Sequence, residues 1–391
     1  MKEFVEGSMA IAKAVQLCKP GVISAYPITP QTHIVEELAT MVADGHLNSQ
    51  FVNVESEHSA ASVVLGSSAT GVRTFTATSS QGLLYMAEVV FNIAGMRLPV
   101  IMACANRAIS APINIWNDHQ DSMTVRDAGW IQLYAETNQE AADMILQAYR
   151  IGEDHDVMLP VMVCVDGYTL THALEVVDFP SQEEVDRFVP AFKPLFKLDP
   201  TSPMTMGVLC EPSCYMETRY AIHRTMLDAL EIIPNVAKEF QKAFGRDSGG
   251  LLKGYRLEDA DSAIVAMGSM VGNICEVVDE LRSEGQKVGV LKLIAHRPFP
   301  YAAVCEALKH VREAAILEKA ISLGAEGPLF SDVKAAFCGK EKTPKLSGFV
   351  IGLGGRDVTK DSIRKVYKLL AGKPVESEFI DLNLEALTAH A

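Results

Sequence analysis

Residues 72–103 read VRTFTATSSQGLLYMAEVVFNIAGMRLPVIMA. Val72–Ala77 is a short apolar run, and Pro99–Ala103 is another. Between them lies Gly82–Ala94, strongly apolar and of helical length. Strand, helix and strand in that order form a βαβ unit, which sets its two strands parallel in one sheet. The alternation continues outward on both sides. Val22–Tyr26 predicts a strand, and Thr32–Ala43 a helix with Ile34, Leu38, Met41 and Val42 at helical spacing. Phe51–Val54 predicts a strand, and Glu57–Ser68 a helix rich in Ala and Ser. Further on, Gln139–Arg150 predicts a helix and Pro160–Val165 a strand. Short apolar strands between longer helices imply an α/β fold whose parallel sheet is covered on both faces. In such sheets the active loops lie beyond the carboxyl ends of the strands.

After Asp178 the pattern stops. Pro180, Pro190, Pro194, Pro200, Pro203 and Pro212 predict an extended surface connector. Tyr215–Phe244 predicts a helical stretch that Pro234 kinks or divides. Gly245–Gly250 reads as a linker. A second α/β segment then follows. Its expected strands are Ala263–Ala266, Val288–Ile294, Ala315–Leu317 and Phe349–Ile351. Its expected helices are Val271–Arg282, Tyr301–His310, Leu329–Phe337 and Ile363–Leu370. The expected domains are therefore residues 1–245, connector included, and 255–391.

Composition narrows the function. The 391 residues are 48% hydrophobic and 21% charged, enough for a real core in two or three domains. Asp and Glu outnumber Lys and Arg by 49 to 35, a net charge of −14. That balance excludes the basic face a nucleic-acid binder needs and disfavours an anionic membrane surface. No apolar run approaches the roughly 18 residues of a membrane span. Met1–Glu6 carries acids where a secretory signal has basic and then apolar residues, so a cytoplasmic location is expected. Eight cysteines occur without one Cys-x-x-Cys, the nearest pair being Cys210 and Cys214. They read as reduced, mostly buried thiols, with neither iron–sulfur nor zinc-ribbon spacing.

Four segments fall at expected strand ends. In Tyr26-Pro27-Ile28-Thr29-Pro30 two prolines fix the backbone around one hydroxyl. It serves either a site or a rigid turn capped by Thr29 or Thr32. In Glu55-Ser56-Glu57-His58 the acids either cap the next helix or stand, partly desolvated, at its mouth. Arg107, in Ala105-Asn106-Arg107, either grips a carboxylate with two hydrogen bonds or makes a surface contact. Trp116-Asn117-Asp118-His119-Gln120-Asp121 is a polar loop opening another helix. Gly352-Leu353-Gly354-Gly355 reads as a structural turn, since it lacks the Lys-Ser/Thr of a P-loop. No Gly-x-Ser-x-Gly or His-Glu-x-x-His supports a hydrolase or a zincin.

Taken together, these stretches resemble the alpha chain of a multi-subunit pyruvate:ferredoxin oxidoreductase, a thiamine-diphosphate enzyme. The resemblance spans essentially the whole chain. It is sharpest at Tyr26–Pro30, Val54–Ala60, Thr74–Leu83, Asn106–Pro112 and Gly352–Thr359. It implies a thiamine-diphosphate-binding parallel-sheet domain followed by a smaller domain like the C-terminal domain of transketolase. By the same resemblance, Glu57 is the catalytic acid on the aminopyrimidine half of the cofactor, with Thr29 beside it. Thr29 and Arg107 hold the substrate carboxylate. His58, Asn117, Asp118 and His119 are candidates for lining the same cleft. A carboxylate hydrogen-bonded to the pyrimidine promotes proton removal from the thiazolium, and the cofactor carries the carbon chemistry.

The resemblance also marks what is missing. Such enzymes anchor magnesium and diphosphate with a Gly-Asp-Gly motif and a later Asn. Ala43-Asp44-Gly45 and Val165-Asp166-Gly167 each lack the first Gly. The diphosphate, Mg2+ and 4Fe-4S clusters are therefore expected on beta, gamma and delta partner subunits, with ferredoxin and coenzyme A as further partners. Pyruvate is the favoured substrate, from Ser110–His119. Gln31-Thr32 leans instead toward the 2-oxoisovalerate (branched-chain) members. A ferredoxin-independent thiamine enzyme and a catalytically silent scaffold subunit are the rival readings.

Overall fold

The computed structural model describes residues 1–388. The chain forms two compact units. The first is Met1–Leu251 with Ile294–Pro300, and the second is Leu252–Leu293 with the chain from Tyr301 onward.

In chain order the first unit begins with β1 (Lys2–Glu6), α1 (Gly7–Cys18), β2 (Val22–Ile23), α2 (Thr32–Ala43), β3 (Gln50–Phe51) and α3 (Glu57–Ala69). It continues with β4 (Thr74–Thr78), α4 (Ser80–Tyr85), α5 (Ala87–Gly95), β5 (Ile101–Asn106), α6 (Gln120–Thr124) and β6 (Ile131–Tyr134). It ends with α7 (Asn138–Gly152), β7 (Val161–Asp166), β8 (Leu174–Asp178), α8 (Gln182–Phe188) and α9 (Tyr215–Phe244). The second unit starts with β9 (Leu252–Tyr255), β10 (Ser262–Ala266), α10 (Met270–Ser283) and β11 (Val288–Leu293). The chain then gives the first unit β12 (Ala295–Arg297). It returns through α11 (Tyr301–Leu308), β13 (Glu313–Glu318), α12 (Pro328–Ala336), β14 (Lys345–Val350), α13 (Lys360–Leu370), β15 (Glu378–Phe379) and α14 (Leu384–Thr388).

The main sheet of the first unit has the order β12-β6-β7-β5-β4-β2-β3. Every neighbouring pair is parallel except β12 with β6. All residues of β4, β5 and β7 are buried, as expected of parallel strands covered on both faces. β1 and β8 pair separately as an antiparallel ribbon. The second unit holds a six-stranded sheet, β15-β14-β13-β10-β11-β9, parallel apart from its edge strand β9. Gly352–Gly355 is a turn with Gly352, Gly354 and Gly355 at positive φ.

Several details depart from the expectations. β2 and β3 pair over two residues each, because the chain leaves the sheet early to build the loops carrying Thr29 and Glu57. Gly82–Ala94 forms two helices parted at Met86, although Val90 N–H still donates to Met86 O at 2.9 Å. α9 runs unbroken through Pro234. An internal proline costs about 3 kcal/mol. Ile222, Ala229, Ile233, Val236 and Phe240 bury one continuous face across it. At about 1.5–3 kcal/mol for each large side chain, that burial outweighs the lost hydrogen bond. His296–Pro300, expected as a connection, includes the edge strand β12.

Arg73 ties this unit together. Its guanidinium donates to Glu153 through Nε at 2.6 Å and Nη2 at 2.5 Å. It also donates to the Cys18 and Pro190 carbonyls at 2.7 Å each. Both side chains are only 9% exposed. Removing one partner of a buried pair leaves the other charge unpaired. Arg73→Met is therefore expected to cost about 3–5 kcal/mol in urea unfolding. Adding Glu153→Leu is expected to return part of that loss.

Candidate active site

The strand order places a switch point between β2 and β4. The chain leaves β2 toward β3 on one side, and β4 lies on the other. Ligands of open α/β sheets bind beyond the carboxyl ends at such points. The loops that leave this edge carry Thr29 after β2, Glu57 after β3, Ser79–Gly82 after β4 and Arg107 after β5.

Glu57 is the first residue of α3, but it does not cap the helix. Ser56 is the N-cap, accepting from Ser59 N–H at 3.2 Å. The Glu57 side chain is 9% exposed, and its carboxylate makes no hydrogen bond or ion pair among the described residues. The carboxylate has no hydrogen-bond partner, yet its oxygens are not fully enclosed, so they stay open to water or to a ligand. The space it occupies exists because residue 82 is glycine. A Cβ there would lie 2.5 Å from Thr78 Oγ1, 2.8 Å from Glu57 Cγ and 2.9 Å from Glu57 Oε1.

Thr29 does not cap α2 either. Gln31 is the N-cap residue, and no side chain caps this helix. Instead, Thr29 O accepts from Arg107 Nη1 at 2.7 Å, joining the two loops expected to hold a carboxylate. Arg107 Nε donates to Asn114 O at 3.1 Å, while Nη2 has no partner among the described residues. Arg107 is 9% exposed and has no ion pair. Burial pulls its pKa down, opposed by the negative charges of Asp121 and Glu57. A buried cation with a free donor edge suits a carboxylate ligand. Thr29 itself is exposed. Gly167 lets these strand ends close up, since a Cβ there would meet Asn106 O at 2.5 Å and Pro30 Cγ at 2.6 Å.

Asp121 lies beneath these loops, fully buried at the start of α6. Its Oδ2 accepts from Ser80 N–H at 2.9 Å and Arg107 N–H at 3.0 Å. Its Oδ1 accepts from Asn106 Nδ2 and Ser122 N–H, both at 2.8 Å. Burial pushes its pKa up to about 6 against these bonds. Sequence reasoning did not single out Asp121. Its only signal was its place in a polar loop after a buried strand.

The other candidates are placed differently. His119 is 1% exposed and pairs with Asp166 through Nε2 at 2.7 Å. Asp118 and Asn117 are also buried, with Asn117 Nδ2 3.4 Å from Asn106 O. His58 is partly exposed, its ring 6.0 Å from that of Tyr85. The structure thus joins Thr29 to Arg107, sets Glu57 within reach of their charge, and encloses Asn117, Asp118 and His119 in the fold.

Residues 13–238 match the family described as "Pyruvate flavodoxin/ferredoxin oxidoreductase, thiamine diP-bdg". Residues 260–363 match "Pyruvate:ferredoxin oxidoreductase core domain II". The chain belongs to the pyruvate:ferredoxin oxidoreductase family. It is 49% identical over 390 residues to "Pyruvate synthase subunit PorA" of Methanosarcina barkeri (strain Fusaro / DSM 804), covering 98% of this chain and 97% of that one. It is 42% identical over 386 residues to "Ketoisovalerate oxidoreductase subunit VorA" of Pyrococcus horikoshii, covering 98% and 97%. Among solved structures, the 2-oxoglutarate:ferredoxin oxidoreductase of Magnetococcus marinus superposes with a TM-score of 0.72 at 19% identity. That match covers 94% of this chain, which spans 65% of the other's length. A split-gene transketolase gives a TM-score of 0.51 at 15% identity, covering 94% and 95%. The last two likenesses concern fold alone.

The family implies thiamine diphosphate. The unbonded Glu57 carboxylate, in the gap that Gly82 leaves, fits the aminopyrimidine half. The diphosphate half finds no such fit. Asp166, in the nearest echo of its motif, is engaged by His119. Among the described residues no cluster of three His, Cys, Asp or Glu could hold a metal ion.

Gly82→Ala tests this geometry, because the added methyl must push Glu57 aside. The chain is expected to fold, and turnover of its complex to fall about 100-fold, the usual effect of a 1 Å displacement. Wild-type turnover would remove Glu57 from the site.

Proposed function

We propose that this chain is the alpha subunit of a cytoplasmic pyruvate synthase. That enzyme converts pyruvate and coenzyme A to acetyl-CoA and carbon dioxide and passes two electrons to ferredoxin. The observation that carries the reading is the buried, ion-pair-free Arg107, bonded to the Thr29 loop and close to an unbonded Glu57, in a chain of this family. Bound thiamine diphosphate supplies the carbon nucleophile and the electron sink.

This chain's residues bind and orient. Arg107 Nη2 offers its free donor edge to the 2-oxo acid's carboxylate, and the exposed Thr29 hydroxyl offers a second donor. Together they fix the ketone carbon toward the reacting centre, an orientation effect. Glu57 holds a proton at the pyrimidine ring, and its burial strengthens that hydrogen bond. Beta, gamma and delta subunits supply the diphosphate and Mg2+ site and the 4Fe-4S clusters.

Pyruvate is favoured over 2-oxoisovalerate on two grounds. Identity to the pyruvate synthase relative is higher, 49% against 42%. Gln31, the residue that leans toward the branched-chain members, is fully buried with Nε2 2.7 Å from Ala77 O, so it supports the loop and does not face a substrate.

The test is anaerobic isolation of the chain with its partners, followed by coenzyme-A-dependent reduction of a viologen dye. Pyruvate is expected to outpace 2-oxoisovalerate, and the single chain to give no turnover. Faster reduction with 2-oxoisovalerate would overturn the substrate assignment. Turnover by the single chain would overturn the shared site.

A further inference from the structure

We propose that Cys210 and Cys214 form a reversible dithiol–disulfide site, oxidised by hydroperoxides, at the start of α9. The pair lies in the first unit, outside the candidate active site. Its basis is geometric. Glu211–Cys214 closes a turn in which Cys214 N–H donates to Glu211 O at 3.0 Å, and Tyr215 N–H reaches the same carbonyl at 3.1 Å. The turn brings both sulfurs over that carbonyl, at 3.8 Å for Cys210 and 3.5 Å for Cys214. The sulfurs lie 2.7 Å apart, while a disulfide needs about 2.0 Å. Closing the bond therefore takes a sulfur movement of less than about 1 Å.

Exposure sets this pair apart. Cys104 and Cys164 also face one another, across β5 and β7, but both are buried where no oxidant reaches. Cys18 is likewise buried, and burial raises its pKa. Cys338 is exposed but contacts no other thiol among the described residues. Cys214 is exposed and Cys210 half-buried. The hydrogen bond to Cys214 raises the Cys210 pKa.

Roles follow from exposure, since Cys214 is the more open of the two to an oxidant. The Cys214 sulfur attacks the outer oxygen of the hydroperoxide, the O–O bond breaks, and an alcohol or water leaves. Cys214 is then a sulfenic acid. The Cys210 sulfur attacks it, the S–O bond breaks, water leaves and the disulfide forms. The two thiols lose two electrons and two protons, and the peroxide takes both. A small dithiol reverses the change by exchange. The closed bond pins the end of the proline-rich connector to the first turn of α9.

The experiment uses the full chain, isolated anaerobically with its partners, and hydrogen peroxide as the oxidant. Free thiols are alkylated before and after exposure, and the peptides are weighed. The peptide spanning residues 210–214 is expected to lose both alkylation sites and two hydrogens, and dithiothreitol to restore them. In Cys210→Ser, Cys214 is expected to stop at a sulfenic acid that dimedone traps. Cys210 is half-buried at the surface before α9, so this variant keeps the fold, which circular dichroism checks. If both cysteines stay alkylatable while Cys338 oxidises, or if either pairs with a different thiol, the proposal fails.

Discussion

The Asp121 carboxylate is the constraint on which the site depends. It gathers four N–H donors, from the loop after β4, from two residues at the end of β5 and from α6. Each bond carries a charged acceptor in a dry interior, where such bonds are roughly twice as strong as neutral ones. Ser80 is held at φ 46, a left-handed conformation that its N–H bond to Asp121 helps to maintain. Arg107 leaves the sheet with its backbone anchored and its side chain free to turn toward Thr29. The residues that face a ligand are thus set by one that does not.

The site is built with unmet needs. Glu57 has no hydrogen-bond partner and does not cap α3, and Arg107 has no ion pair although its guanidinium ties the Thr29 loop to Asn114. The two opposite charges act on each other, and neither free edge is enclosed away from water. Under the proposed function, a cofactor ring meets Glu57 and a substrate carboxylate meets Arg107. Under the proposed function, partner subunits supply the diphosphate half of the site.

Much of this was legible in the sequence, for physical reasons. α2 begins and ends where its apolar spacing predicted, and the buried strands β4, β5 and β7 stood out as β-rich apolar runs. α1 was hidden because it lacks the usual signals. Its N-cap is Glu6 with no side-chain cap, and it ends at Lys19 with φ 52 where a glycine is usual. β6 was hidden by Gln132, a polar residue in a buried strand, satisfied by donating to Ser122 O at 2.9 Å. Of the site, Thr29, Glu57 and Arg107 were visible as polar groups flanked by strand ends. The choice between capping and function could not be made from sequence, because it turned on Ser56 and Gln31 taking the N-cap positions. Asp121 was invisible, since its role depends on donors 15 and 41 residues away.

The central claim is that Glu57 governs the proton at the pyrimidine ring. It is tested most directly by the exchange of the thiazolium C2 proton for deuterium in the cofactor-loaded complex, quenched in acid and read by NMR. Glu57→Gln is expected to slow this exchange at least about 100-fold while the cofactor stays bound. An unchanged exchange rate with full occupancy would contradict the account.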